Sequence, residues 1–294
     1  CDPTKETAKS LAEMMIGTNL RAPEHHEKTK GGDIRLQVRN LSVDADAEFG
    51  VDLKTINFEV RGGEILGVAG VAGNGQIELL SALSGETICS DADTITLDGK
   101  AVGQFGPHRR RDLGLAFVPE DRLGHGSVPE MMLTENAFLS GYRRMDLLNN
   151  GFIDRNGTAD YASDIVKKFD VRTPGIYHTA NSLSGGNLQK FIVGREVLQS
   201  PDVIIVAHPT WGVDAGAAAF IHQTLIDLAD SGAAVLVISQ DLDELFAISN
   251  RIAVIAEGRL SVGRELSEIT IEEIGLLMGG THGMGEKTGV SNVA

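Results

Sequence analysis

The sequence has almost no cysteine: Cys1 and Cys89 are the only two in 294 residues. That excludes a disulfide framework and a cysteine-built zinc site, and it fits a reducing compartment. Basic residues are also scarce, with 26 Lys and Arg against 41 Asp and Glu and a net charge of −15. Long-range repulsion then opposes general binding to nucleic acid or to anionic lipid. No apolar run approaches the roughly 18 residues of a membrane span, and no charged-then-apolar leader opens the chain. What the sequence does have is a globular composition, 42% apolar and 23% charged, with ample material for a core. It is also rich in glycine, 35 of 294 residues, about 12% against a usual ~7%. The places of those glycines carry the functional reading.

The length suits one large domain or two small ones. Residues 1–31 read as the tail of a preceding domain plus a linker. Within them "KETAKSLAEMMIG" (5–17) predicts a short amphipathic helix, and the polar "TNLRAPEHHEKTKGG" (18–32) a loop. "TIEEIGLLMGG" (270–280) repeats the first helix's character. That suggests a related domain before this one, unless two short amphipathic helices merely coincide. Residues 32–281 are expected to form the main domain and 282–294 a disordered tail.

Inside the main domain, "DIRLQVRNLSV" and "VDLKTINFEV" alternate apolar and polar, as half-buried strands do. "EILGVA" is a short apolar run entering a glycine-rich loop, "DTITLDGK" predicts a hairpin, and "LGLAFVPE" another strand. Then the character turns helical, through "MMLTENAFLSGY", "TADYASDIVKKFDV" and "GNLQKFIVGREVLQS". "DVIIVA" and "AAVLVIS" are continuous apolar runs, as expected of parallel strands buried on both faces. "AAAFIHQTLIDLAD" supplies the crossover helix, and Asp241 with Glu244 suggests a capping box for the next one. "RIAVIAEGRLSVG" closes the core with two strands around Glu257-Gly258. The pattern predicts an α/β fold in three parts, with a helical insert at about 122–196.

Three segments carry chemistry. "GVAGNGQI" (70–77) follows a strand and opens a helix, the place of a phosphate-binding loop. Gly70, Gly73 and Gly75 keep the loop's geometry, with Asn74 between them, while Gln76 and Ile77 stand where Lys and Ser/Thr are wanted. A structural glycine turn is the alternative. In "SLSGGNLQK" (182–190), Ser184, Gly185 and Gly186 precede a helix and leave its N–H groups open to an anion, or simply cap it. "VIIVAHPTWGVD" (203–214) runs an apolar strand into Pro-Thr and Gly-x-Asp.

With these in order, the chain resembles the nucleotide-binding domains of ABC transporters over about residues 33–280, LSGGN being that family's own sequence. "GVAGNGQIELL", "FVPEDRLGHG", "PTWGVDAGAA" and "VLVISQDLDEL" are similar to the second domain of tandem ATPase subunits in nucleoside- and sugar-type importers. The resemblance implies a P-loop ATPase fold with a RecA-like parallel-sheet core, an antiparallel β subdomain and an inserted α-helical subdomain. It implies ATP as ligand, a first nucleotide-binding domain of the same parent chain and transmembrane permease subunits as partners. It places this chain at the cytoplasmic face of the membrane, with a substrate-binding lipoprotein as an indirect partner; nucleic acid is not an expected partner. The segment at roughly 121–140 matches where the family meets its permease. Alternatives are a soluble ABC-family ATPase or a regulatory nucleotide-binding module.

The departures are systematic. By resemblance, Gln76 replaces the phosphate-neutralising Lys, and Ile77 and Ala207 replace both Mg²⁺ contacts, so no metal is expected here. His208 takes the catalytic Glu position, Gln240 the switch His and Glu120 the Q-loop Gln, so no catalytic residue is intact. Ser184, Gly185, Gly186 and the D-loop Asp214 are kept. The resemblance therefore implies a degenerate site on this chain, with LSGGN completing the partner domain's site, where Mg²⁺ and ATP would sit. Trp211 stands at the D-loop entrance and Phe49 upstream of the glycine loop. Arg109-Arg110-Arg111 is expected as a surface cluster, Cys89 as a bystander and His25-His26 as solvated.

Overall fold

A computed structural model describes residues 32–45 and 50–279. The expected helix at 5–17, the linker through residue 31 with His25-His26, Phe49 and the expected tail from 282 lie outside the described residues.

The path opens with an antiparallel pair, β1 (Ile34–Val43) and β2 (Leu53–Arg61). β3 (Glu64–Ala69) enters the interior and passes through the glycine loop into α1 (Gln76–Ser84). A hairpin of β4 (Ile95–Leu97) and β5 (Lys100–Ala101) returns to the front layer, whose order is β2-β1-β4-β5. α2 (Pro107–Asp112) leads into β6 (Leu115–Val118). The helical stretch follows with α3 (Leu133–Gly141), a small hairpin of β7 (Leu148–Asn149) and β8 (Phe152–Ile153), α4 (Arg155–Lys168) and α5 (Gly185–Val197). Then come β9 (Val203–Ala207), α6 (Ala215–Asp230), β10 (Ala234–Ser239), α7 (Leu242–Ile248) and β11 (Arg251–Ala256). β12 (Arg259–Leu260) and β13 (Arg264–Glu265) fold back antiparallel on β11, and α8 (Ile271–Met278) ends the described chain.

The central sheet runs β12-β11-β3-β10-β9-β6, and its five longer strands are parallel. Their continuous apolar runs have a direct cause, because side chains alternate across a strand and both faces are covered. Ile204, Val206, Val235 and Val237 enter a core shared with α4, α5 and α6. Ile205, Leu236 and Ile238 enter another, packed against Leu36 and Ile56 of the front layer and Leu79 of α1.

Two local expectations are corrected. The Asp241–Glu244 capping box is half formed: Asp241 accepts the Glu244 N–H at 3.2 Å, but the Glu244 side chain turns inward. A complete box forms instead at Thr270 and Glu273, at the start of α8. The arginine triplet is no surface cluster, since successive residues on a helix point about 100° apart. Arg109 alone is exposed, lying over the Phe105 ring at 3.8 Å. Arg110 is fully buried and donates to the carbonyls of Ala82 (2.5 Å), Leu83 (2.8 Å), Gly103 (3.1 Å) and Phe105 (2.8 Å). Buried Cys89 lies beside it, its thiol pKa raised by burial. Arg111 pairs with the buried Glu196 at 2.7 Å, joining α2 to α5.

Candidate functional site

Register places the site. Ser239 pairs with Ala69 and Ile238 with Ala207, so β3, β10 and β9 end side by side. The glycine loop, His208 and Gln240 all leave from these carboxyl ends, where open α/β sheets bind ligands.

In the glycine loop, Gly75 precedes α1 at φ 106, a conformation in which a Cβ would be strained. The loop's interior is filled by its own chain. Gln76 is 7% exposed, and its Nε2 donates to the Val71 carbonyl at 2.7 Å. Its Oε1 accepts the Asn74 N–H at 3.0 Å. Gly70 must lack a side chain here, because a methyl group would lie 2.8 Å from the Ile255 carbonyl oxygen as well as 2.6 Å from Gln76 Nε2. Asn74 braces the rim: its Nδ2 donates to the Val71 carbonyl at 2.8 Å and its Oδ1 accepts the Glu257 N–H at 2.9 Å. The Gly258 N–H also reaches the Asn74 carbonyl at 3.0 Å, and the Lys54 N–H of β2 reaches Gly258 O at 2.8 Å. Ile77, at the next helical position, is 68% exposed. Neither Ile77 nor Ala207 offers a side-chain oxygen, so these two side chains do not fit Mg²⁺.

His208 is 7% exposed and held at φ 44, with its N–H donated to Ile238 O at 2.8 Å. Its Nε2 lies 3.9 Å from Glu120 Oε2, and its ring meets Trp211 edge to face, centroids 5.3 Å apart. Trp211 itself is 59% exposed. His208, Trp211, Ser239 and the exposed Gln240 line a cleft of about 370 Å³.

The Ser184-Gly185-Gly186 loop is at the start of α5, with Ser184 and Gly185 exposed. Ser184 does not cap the helix: its hydroxyl accepts from Asn187 Nδ2 at 2.9 Å and makes no bond to the helix N–H groups. Asp214 sits close by and caps α6, accepting the Ala217 N–H at 2.9 Å. A methyl group on Gly186 would lie 3.7 Å from Asp214 Oδ2. The sequence reading missed Arg122, which the motif "FVPEDRLGHG" contains. Its guanidinium, with a pKa lowered by burial, bonds Gln189 Oε1 at 3.0 Å and lies 2.8 Å from where a Gly185 methyl would be. It missed Glu244 and Thr210 as well, because only the fold brings them together.

A parallel sheet that ends in a strand–glycine loop–helix unit, an antiparallel front layer and a helical insertion with LSGG at a helix start define the ATP-binding cassette fold. The family model described as "ABC transporter" matches residues 53–211, more than half of the chain, and the chain belongs to that family. It is 38% identical over 275 residues to the nucleoside import ATP-binding protein NupA of Lactococcus lactis subsp. cremoris, covering 94% of this chain and 54% of that protein. The guanosine import ATP-binding protein NupO of Bacillus subtilis is also 38% identical, with 92% and 53% covered. The ribose import ATP-binding protein RbsA of Clostridium tetani is 35% identical, with 92% and 52% covered. The chain thus spans about half the length of the curated relatives it matches. Among solved structures, a dimeric ATP-binding cassette, MJ0796, bound to ADP and Pi superposes with a TM-score of 0.66. It is 19% identical and covers 79% of this chain and 98% of that one. Among the described residues no helix is long and apolar enough to cross a membrane.

Proposed function

We propose that this chain is the second nucleotide-binding half of a tandem ABC importer ATPase for nucleosides or simple sugars. It would work at the cytoplasmic face of the membrane, docked on permease subunits. Its own nucleotide face would be degenerate, and its Ser184–Gly186 loop would complete an active site whose phosphate loop and Mg²⁺ ligands belong to the first half. The observation that carries this reading is the contrast between the two glycine segments. One is filled by Gln76, while the other is exposed and leaves the N–H groups of a helix start without a side-chain cap. The half-length match to NupA and NupO supports a tandem parent, and their names support the substrate class. A groove of about 550 Å³, lined by Met131, Met132, Phe138, Leu139, Ile153 and Tyr177, overlaps the segment expected to meet the permease.

The test is an asymmetry in the full-length protein assembled with its permease. Ser184→Arg should abolish transport-coupled hydrolysis by blocking the start of α5, with the protein still folded in thermal melts. Gln76→Ala should be mild. If Gln76→Ala kills activity while folded Ser184→Arg keeps it, the two faces are assigned the wrong way round. By itself the chain should release no phosphate from ATP in the presence of Mg²⁺.

A further inference from the structure

A buried carboxylate joins the two faces of this domain. Glu244 is 4% exposed, and it accepts hydrogen bonds from Thr210 Oγ1 at 2.5 Å, Ser239 Oγ at 2.6 Å and His222 Nε2 at 3.2 Å. Burial alone would raise its pKa, but these three donors outweigh burial and hold the carboxyl below its ordinary value. The donors come from three places: the loop after β9, the end of β10, and α6.

Each donor leads somewhere. Ser239 directly precedes Gln240, and its hydroxyl also takes the Asp241 N–H at 3.1 Å. Thr210 belongs to the loop from His208 to Asp214, and it accepts the Val213 N–H at its carbonyl, 3.3 Å away. That loop lies against the glycine pair. A methyl group on Gly185 would be 3.7 Å from Gly212 O, and one on Gly186 would be 3.7 Å from Val213 Cβ. A run of hydrogen bonds therefore leads from Ser239, next to Gln240, through Glu244 and Thr210 into the 208–214 loop, whose Gly212–Asp214 stretch lies within one methyl group's reach of Gly185-Gly186.

We propose that Glu244 is a positioning residue that acts through Thr210 to fix the 208–214 loop, and through that loop the presentation of Ser184–Gly186 to a partner's nucleotide. The inference rests on the function proposed above. A carboxylate that only stabilised the fold would change melting when a bond is cut. A positioning residue also changes turnover in protein that stays folded.

Trp211, the one tryptophan of the sequence, is next to Thr210 and reports on the loop directly. Thr210→Val keeps the shape and loses the hydroxyl, whereas Thr210→Ser keeps the hydroxyl. In this chain, the fluorescence anisotropy of Trp211 should fall in Thr210→Val and recover in Thr210→Ser. In the full-length protein assembled with its permease, kcat for substrate-stimulated ATP hydrolysis should fall about tenfold in Thr210→Val. KM for ATP should stay unchanged, and Thr210→Ser should restore kcat. Thermal melts establish that each variant is folded at the assay temperature, and Thr210→Ala replaces Thr210→Val if the latter is not. Wild-type anisotropy and kcat in a folded hydroxyl-less variant overturn the inference, and so does a loss that Thr210→Ser fails to recover. A wild-type assembly without substrate-stimulated hydrolysis overturns the proposed function, and the inference with it.

Discussion

The side chain of Gln76 captures the backbone of Asn74: its Oε1 accepts the Asn74 N–H at 3.0 Å, inside the glycine loop that joins β3 to α1. On the function proposed above, a nucleotide entering there would have to break this bond and would meet a neutral amide rather than a cation. Its own loop satisfies the amide instead.

Gln76→Lys should reverse that situation in part. A cation bonding a phosphate is worth roughly 1.5–3 kcal/mol, so ATP affinity should rise about ten- to hundredfold. Mg²⁺ should add little in either protein, because the hydrocarbon side chains of Ile77 and Ala207 hold no ligand atoms. Calorimetry with and without Mg²⁺ measures both effects. Tight Mg²⁺-dependent binding by the unaltered chain would contradict this account.

Arg110→Lys should be costly despite conserving charge. The guanidinium fork serves four carbonyls from two segments, α1 and the loop after β5, and an ammonium with three donors cannot copy that geometry. The expected loss is about 2–4 kcal/mol, from carbonyls left without partners. Urea unfolding of the two proteins at pH 7 reads it directly, and a difference under ~0.5 kcal/mol would show that the fork is dispensable.

Glu196 sets an acid limit on stability. Burial alone would raise its pKa, but Arg111 and Arg195 beside it keep the carboxyl below its ordinary 4.5. A depressed native pKa contributes stability in full above 4.5, and the contribution is lost as pH falls through the lower native value. Glu196→Gln should therefore cost about 3 kcal/mol at pH 7 and progressively less in acid. Unfolding curves at pH 7 and pH 3.5 should show the two proteins converging, and a constant gap would remove Glu196 as the cause.

How much of this was legible in the sequence depends on range. Strand and helix order could be read, because periodicity is local and the apolar runs of β9 and β10 have one physical reading. The Ser184-Gly185-Gly186 loop at a helix start and the placement of His208 and Gln240 at neighbouring strand ends follow from short motifs. The bonds inside the site were not legible. Glu244 looked like a capping residue because its sequence neighbour Asp241 offers that role, while Thr210 and His222 reach it only through the packing of α6 and α7. Arg110 looked solvated for the same reason: charge counts along the chain do not say which of three adjacent side chains points inward. Nor does a residue type show that Gln76 would fold back into its own loop.

The rim of that loop has one further consequence. Asn74 is tied to the Glu257-Gly258 turn, and Gly258 is tied to Lys54 of β2. The loop is therefore seamed to two sheets rather than hinged at its ends. Lifting it means peeling the edge of the front layer and the turn after β11 at the same moment. Its opening belongs to one cooperative unit with those edges, so its amides exchange with solvent at their pace and not at that of a free surface turn.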